Sequence, residues 1–268
     1  MKKTIGFIGS GNMGGAMMGG IVGSGLANGS DIIVSDLNEK ALERVKENYG
    51  VNTTTDNCKV AKASDILVLA VKPHFYAGVI EEIKDVVKED VVIVVIAAGQ
   101  SIAGVTEKFG RDIKIAKVMP NTPAMVGEGM AAICPSKNMT QEEIDDVVAI
   151  FNSFGKSEIV AETMMDAVTA VSGSSPAYVY MFIEAMADAA VREGMYRDQA
   201  YKFAAQAVLG SAKMVLETGK HPGELKDMVC SPGGTTIAAV AKLEETGFRY
   251  SVMEAMKACA DKSKDMSK

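Results

Sequence analysis

The chain has 268 residues, 48% of them apolar and 23% charged, which is an ordinary globular mixture and excludes disorder. That length exceeds the usual single domain and calls for one large or two modest ones. A formal charge of -6 offers no basic face for nucleic acid, and the longest apolar run, VVIVVIAA at 91–98, falls far short of the roughly 20 residues that span a bilayer.

Met1-Lys2-Lys3 leads straight into TIGFIGSG, where a secretory signal would need an unbroken apolar core, so a cytoplasmic protein is expected. Residues 1–160 alternate two kinds of segment. TIGFI (4–8), DIIVS (31–35), DILVLAV (65–71), VVIVVIAA (91–98) and KIAKVM (114–119) are apolar on successive positions, as strands covered on both faces should be. EKALERVKENYG, HFYAGVIEEIKDVV and SIAGVTEKFG between them carry helical spacing. This alternation predicts a Rossmann-type, doubly wound parallel sheet with right-handed crossovers. A further strand at 130–134 and a helix over 140–154 complete it.

After Glu162 the β-rich runs stop, and residues 161–268 read as an all-helical domain. Its helix from Pro176 is apolar almost all round, with Glu184 and Asp188 as the main charges. Such a helix is buried on every side, either in its own core or by a partner subunit.

Gly9-Ser10-Gly11-Asn12-Met13-Gly14, preceded by Ile8, fits GxGxxG between the first strand and a helix. Gly9 suits the tight turn, Gly11 the approach of pyrophosphate, and Gly14 close helix–sheet contact. The second strand ends at Asp36, which can accept from both adenosine ribose hydroxyls and would repel a 2′-phosphate. With Arg44 two helical turns on, the residues lean toward NADH over NADPH. The competing role for Asp36 is capping of the helix that follows.

Cys58, Cys134, Cys230 and Cys259 form no CxxC pair, and with only His74 and His221 a metal site is not expected. No histidine near Cys230 in sequence argues for it as a nucleophile. CSPGGTTIAAVAKLEE (230–245) gathers two glycines and two threonines at a helix start. A cap needs one Ser or Thr; Gly-Gly-Thr-Thr suits a cradle for a small anion.

FIGSGNMG (7–14), LAVKP (69–73), MPNTP (119–123), AVSGSSPAY (170–178) and LKDMVCSPGGTTIAAVAKLE (225–244) occur in that order, and with them the chain resembles the Δ1-pyrroline-5-carboxylate reductases over nearly its whole length. The resemblance implies reduction of the substrate's C=N bond to L-proline by hydride from NADPH or NADH, the last step of proline synthesis. It implies a cofactor along Gly9 to Gly14, with Asn57, Ala70, Val71, Lys72 and Pro73 beside the adenosine and ribose, and Ala97 and Asn121 nearer the nicotinamide. The imino acid would bind in a helical domain at a homodimer interface, its carboxylate on the amides of Gly234, Thr235 and Thr236. The Thr236 hydroxyl would face the ring nitrogen as the catalytic group, and Glu162 matches an acidic residue near the substrate. Dimers of such enzymes often assemble further, commonly into decamers. Asp36 departs from the small or hydroxyl residue of NADPH-preferring members, and Met228 from a polar residue near the cofactor. Two other readings stay open: a 3-hydroxyacid dehydrogenase, although SGSSPAYVYMFIEAMADAAV lacks the lysine that reaction uses, and a non-catalytic NAD(H) sensor.

Overall fold

The computed structural model describes residues 1–266. The first part of the chain runs β1 (Ile5–Ile8), α1 (Asn12–Gly23), β2 (Ile32–Ser35), α2 (Glu39–Tyr49), β3 (Asn52–Thr54), α3 (Asn57–Ala63), β4 (Ile66–Leu69), α4 (Tyr76–Ile83), β5 (Val92–Val95), α5 (Ile102–Phe109), β6 (Lys114–Met119), β7 (Gly129–Pro135), α6 (Gln141–Asn152) and β8 (Gly155–Ile159). β1, β4 and β5 are buried at every position, which is why they read as unbroken apolar runs. Side-chain acceptors start the helices: Asn38 for α2, Asp56 for α3, Ser101 for α5, and a reciprocal Thr140–Glu143 box for α6.

The strand order is β3-β2-β1-β4-β5-β6-β7-β8. Every pairing is parallel except β6 with β7. This amends the all-parallel expectation. Only a short 3₁₀ turn over Thr122–Val126 joins β6 to β7, and a parallel return needs a crossover of a dozen residues or more. One apolar core lies under α1, α2 and α6, and a second under α3 and α4 with α5. Helix α1 carries glycines that are poor helix formers, and one of them is explained by packing: a Cβ on Gly20 would stand 2.4 Å from that of Phe154.

The remainder is helical: α7 (Met165–Val168), a π-helical turn over Thr169–Gly173, α8 (Ser175–Arg192), α9 (Arg197–Thr218), α10 (Pro222–Val229), α11 (Thr235–Glu245) and α12 (Phe248–Met266). The described residues form two compact units, one of residues 1–174 with 259–266, the other of Ser175–Ala258. The change from strands to helices falls after β8, near the expected 160/161 boundary, whereas the compact units divide at Ser174–Ser175. The difference arises because the segment after β8 stays fastened to the sheet unit. Ser172 O accepts from Asn121 Nδ2 at 3.0 Å, and Asp166 Oδ1 accepts from Ser263 Oγ at 2.7 Å.

Within Ser175–Ala258 the buried apolar residues are Ala187, Ala200 and Ala204 alone. On α8, Tyr180 is 59% exposed and Met181 69%. Burial of that helix within its own chain is therefore not what the structure shows. Among the described residues, no helix is long and apolar enough to cross a membrane.

Candidate active site

The sheet changes direction of winding at β1, between β2 and β4, and the crevice beyond the carboxyl ends of such strands is where open α/β sheets take ligands. The loop after β1 is pinned on both sides. Gly9 N donates to Ser35 O at 2.8 Å, and Ala70 N donates to Ile8 O at 2.8 Å. Gly9 has φ +107°, and a Cβ there would also stand 2.6 Å from Ala70 O, so no other residue fits. Gly14 is equally constrained, since its Cβ would lie 2.5 Å from Gly9 O. Gly11 differs: apart from its chain neighbours, a Cβ would meet no atom of the described residues within 4 Å. What that Cβ would occupy is the open space before the amino end of α1, and no side chain caps that helix. Free amides facing an unfilled approach fit a pyrophosphate.

Asp36 sits half-buried at the end of β2. Its Oδ2 accepts from Ser10 N (2.7 Å) and Ser10 Oγ (2.8 Å), and its Oδ1 from Asn38 N (2.9 Å). Burial alone would raise its pKa, but those donors and the Leu37 N–H outweigh it and hold the carboxyl below its usual range. The cap of α2 is Asn38, whose Oδ1 accepts from Ala41 N, so Asp36 braces the glycine loop and is not the helix cap.

Arg44, two turns along α2, donates from Nη2 to Ser10 O at 3.3 Å. It therefore joins the site, which its distance in sequence had argued against. Asn57 opens α3 with its side chain engaged at both ends: Ser35 Oγ donates to its Oδ1 at 2.7 Å, and its Nδ2 donates to Glu82 Oε2 at 2.8 Å. Ala70, Val71 and Lys72 follow β4, and Pro73 begins a short 3₁₀ turn. Tyr76, which no sequence motif marks, ties this loop to β5: its buried hydroxyl donates to Leu69 O at 2.6 Å and accepts from Ile96 N at 3.3 Å. Burial pushes its phenol far above the ordinary range. Ala97 is buried just after β5.

Asn121 is buried after β6, its Oδ1 accepting from Met130 N at 2.9 Å and its Nδ2 donating to Ser172 O. Both ends of the amide thus fasten the chain. Glu162 Oε1 accepts from Ile102 N at 2.9 Å and from Lys117 Nζ at 3.1 Å. Lys117 projects from β6 and is 9% exposed, a buried cation that the KIAKVM pattern hid among strand residues. Burial and the Glu162 charge push the neighbouring Cys134 thiol up, so it stays protonated.

In the other unit, Gly233 has φ +67°, and Gly234 is the first flanking residue of α11. Gly234 N donates to Ser231 O at 3.0 Å, which closes the turn. Gly233 is thus needed by the turn itself, whatever it holds, and a Cβ on Gly234 would stand 2.3 Å from Ser231 Oγ. No side chain caps α11, although Ser231, Thr235 and Thr236 surround its start. His221, by contrast, caps α10 by accepting from Gly223 N at Nδ1 (3.0 Å). Met228 is exposed, its sulfur accepting from Lys220 Nζ at 3.7 Å. Among the described residues no cluster of His, Cys, Asp and Glu could hold a metal ion.

A doubly wound sheet with a pinned glycine loop at its switch point, followed by helices with an uncapped amide cluster, defines a dinucleotide-dependent oxidoreductase with a helical second region. Comparison with known proteins narrows this. Residues 162–266 match the family model described as pyrroline-5-carboxylate reductase dimerisation, and residues 4–99 match one described as NADP oxidoreductase coenzyme F420-dependent. The chain is 52% identical to the pyrroline-5-carboxylate reductase of Escherichia coli (strain K12) over all of both chains, and 44% identical to that of Methanosarcina acetivorans over 100% of this chain and 99% of the other. The solved reductase from Coxiella burnetii superposes with TM-score 0.94 at 33% identity, covering all of both chains. That from Plasmodium falciparum, with NADP bound, superposes with TM-score 0.90 at 36% identity, again over both full lengths. The chain belongs to the pyrroline-5-carboxylate reductase family: it is an NAD(P)H-dependent oxidoreductase that catalyses the final step of proline biosynthesis.

Proposed function

We propose that the reaction is divided between two amide clusters of this chain. Ile8 to Gly14 hold the dinucleotide's pyrophosphate at the start of α1, with Asp36 and Asn57 on its adenosine side. Ala70 to Pro73 border the ribose, and Ala97 and Asn121 stand on the nicotinamide side. The N–H groups of Gly234, Thr235 and Thr236 receive the carboxylate of pyrroline-5-carboxylate. The observation that carries this second assignment is that α11 begins with three hydroxyl side chains nearby and none used as a cap. Its amides are left to an external acceptor, and an anion is the acceptor a helix start favours.

The bound cofactor supplies a hydride for the imine carbon. The ring nitrogen must gain a proton, and the Thr236 hydroxyl, which has no partner among the described residues, can orient that nitrogen and pass it one. A threonine is a weak acid, so its contribution is geometric; holding reactants in contact can supply about 7 to 11 kcal/mol of barrier lowering. Glu162 carries the chain from the sheet into the helices through Ile102 and Lys117. A contact with the imino acid would use its other carboxylate oxygen.

The working unit is a homodimer. A region whose buried apolar residues are three alanines, with Phe203, Leu216 and Val229 more than half exposed, needs cover from a second copy. The reaction is placed in the cytoplasm, in keeping with four unpaired cysteines.

Oxidation of NADPH and NADH is followed with pyrroline-5-carboxylate and then with a 3-oxo acid, alongside sedimentation of the protein. Turnover with the imino acid and a dimer or larger species is expected. Cofactor binding with no turnover of the imino acid, or a stable monomer, would overturn the corresponding part.

A further inference from the structure

The Arg44 guanidinium is held over the glycine loop by a single neutral acceptor, Ser10 O. Among the described residues no carboxylate lies within ion-pair distance of it, although Glu47, one turn along α2, is its natural helical partner. A guanidinium has five donors in a planar fork, so most of its capacity is unspent. The carboxylate beside it is in the opposite condition. Asp36 already receives three hydrogen bonds from Ser10 and Asn38, with both oxygens in use, so little acceptor capacity is left for a ribose diol. The subsite at the end of β2 therefore pairs a largely satisfied anion with a largely unsatisfied cation, both anchored on the same residue.

We infer that Arg44 is a specificity-determining residue that receives the 2′-phosphate of NADPH and thereby admits that cofactor in spite of Asp36. Bidentate contact with a phosphate is the geometry a guanidinium serves best, and the attraction offsets repulsion between the phosphate and Asp36. The inference rests on the dinucleotide reading of the glycine loop and adds to it which atoms tell the two cofactors apart. It runs against the simple rule that an acidic residue at this position excludes the phosphate, because that rule takes the carboxylate to be available to the ribose.

Equilibrium binding of 2′,5′-ADP and of ADP to the full-length protein, measured calorimetrically without substrate, tests this apart from catalysis. For Arg44→Ala, affinity for 2′,5′-ADP is expected to fall by about tenfold or more while that for ADP changes less than about threefold. Arg44→Lys keeps the charge without the fork and should fall between the two. The wild-type preference for 2′,5′-ADP should weaken as salt is raised. Equal losses for both ligands, or none for either, would overturn the role of Arg44 while leaving the glycine loop as the dinucleotide site. Failure of the wild-type protein to bind either ligand would overturn both.

Discussion

Asp36 takes both donors of Ser10 on one oxygen, the backbone N–H at 2.7 Å and the hydroxyl at 2.8 Å, and so fastens the end of β2 to the glycine loop. Replacing it therefore does two things at once. Asp36→Ser removes the negative charge from the end of β2, where the proposed function puts the adenosine side of the cofactor, so kcat/KM for NADPH should rise relative to NADH. It also leaves buried Ser10 short of an acceptor, and stability should fall by about 1–3 kcal/mol. Steady-state kinetics with both cofactors and urea unfolding separate the effects. An unchanged cofactor ratio would show that the Asp36 charge does not bear on selection.

Acid should destabilise the fold through carboxylates like this one, because protonating them in the folded chain takes a lower pH than in the unfolded one. The pKa values of Asp36, Asp65 and Glu143 are all lowered in the folded chain; in each, burial pulls upward and is outweighed by hydrogen bonds or paired lysines. The unfolded chain then binds protons at a higher pH than the folded one. Stability from these groups is complete above about pH 5 and is lost as the pH falls through about 4 and below. Unfolding midpoints in urea across that range should decline toward acid, and Asp36→Asn should flatten the decline. A midpoint independent of pH would contradict the assignment.

Tyr76 bridges two strand ends that flank the cofactor crevice, Leu69 O of β4 and Ile96 N just after β5. Tyr76→Phe keeps the ring in the core and deletes only the bridge. Buried Leu69 O and partly buried Ile96 N each lose a partner, at a cost of about 1–3 kcal/mol. Because the loop of Ala70 to Pro73 leaves from the same strand end, KM for the cofactor should rise with kcat little changed. Equilibrium unfolding with an unaltered m-value and cofactor titration read the two effects.

The Lys117–Glu162 pair is asymmetric, with side chains 11% and 36% exposed. Glu162→Gln leaves a buried ammonium without its counter-charge, whereas Lys117→Met leaves a carboxylate that water and Ile102 N can still satisfy. The first should therefore destabilise more than the second, by about 1–3 kcal/mol, and the double variant should recover part of the loss. A double-mutant cycle in urea measures the coupling. Additive losses would mean that the pair contributes no interaction energy.

Legibility in the sequence followed burial. β1, β4 and β5 announced themselves because strands covered on both faces carry unbroken apolar runs, whereas β3 (NTT) and β8 (GKSEI) lie at the edges of the sheet and their polar, half-exposed residues carry no such signal. β7 was expected as a strand at 130–134, and only its antiparallel direction was hidden, since direction is set by the length of the connection and a 3₁₀ turn is not visible as periodicity. GxGxxG was readable because Gly9 and Gly14 answer to local sterics. Arg44, Tyr76, Glu82 and Lys117 were not, because each acts across elements far apart in sequence. Arg44 reaches back 34 positions to Ser10, and Glu162 is joined to Lys117 across 45. For α11 the sequence pattern indicated an anion site, while the structure shows that Gly233 is also required by the turn.

That double use makes Thr236 the sharper test of the proposed substrate site, because its hydroxyl has no partner among the described residues. The residue lies in the first turn of α11, where alanine is a better helix former, so Thr236→Ala should leave stability unchanged or slightly raised. Loss of orientation and of the proton path at the ring nitrogen should lower kcat/KM by about 10²-fold, at the lower end of what a positioned proton donor contributes. Thr236→Ser restores a hydroxyl at the same place and should recover most of the loss. If KM rises with kcat intact, the side chain only binds and does not act on the reaction. If the alanine variant retains the full kcat/KM, the hydroxyl has no part in the chemistry, and protonation of the imine must come from solvent.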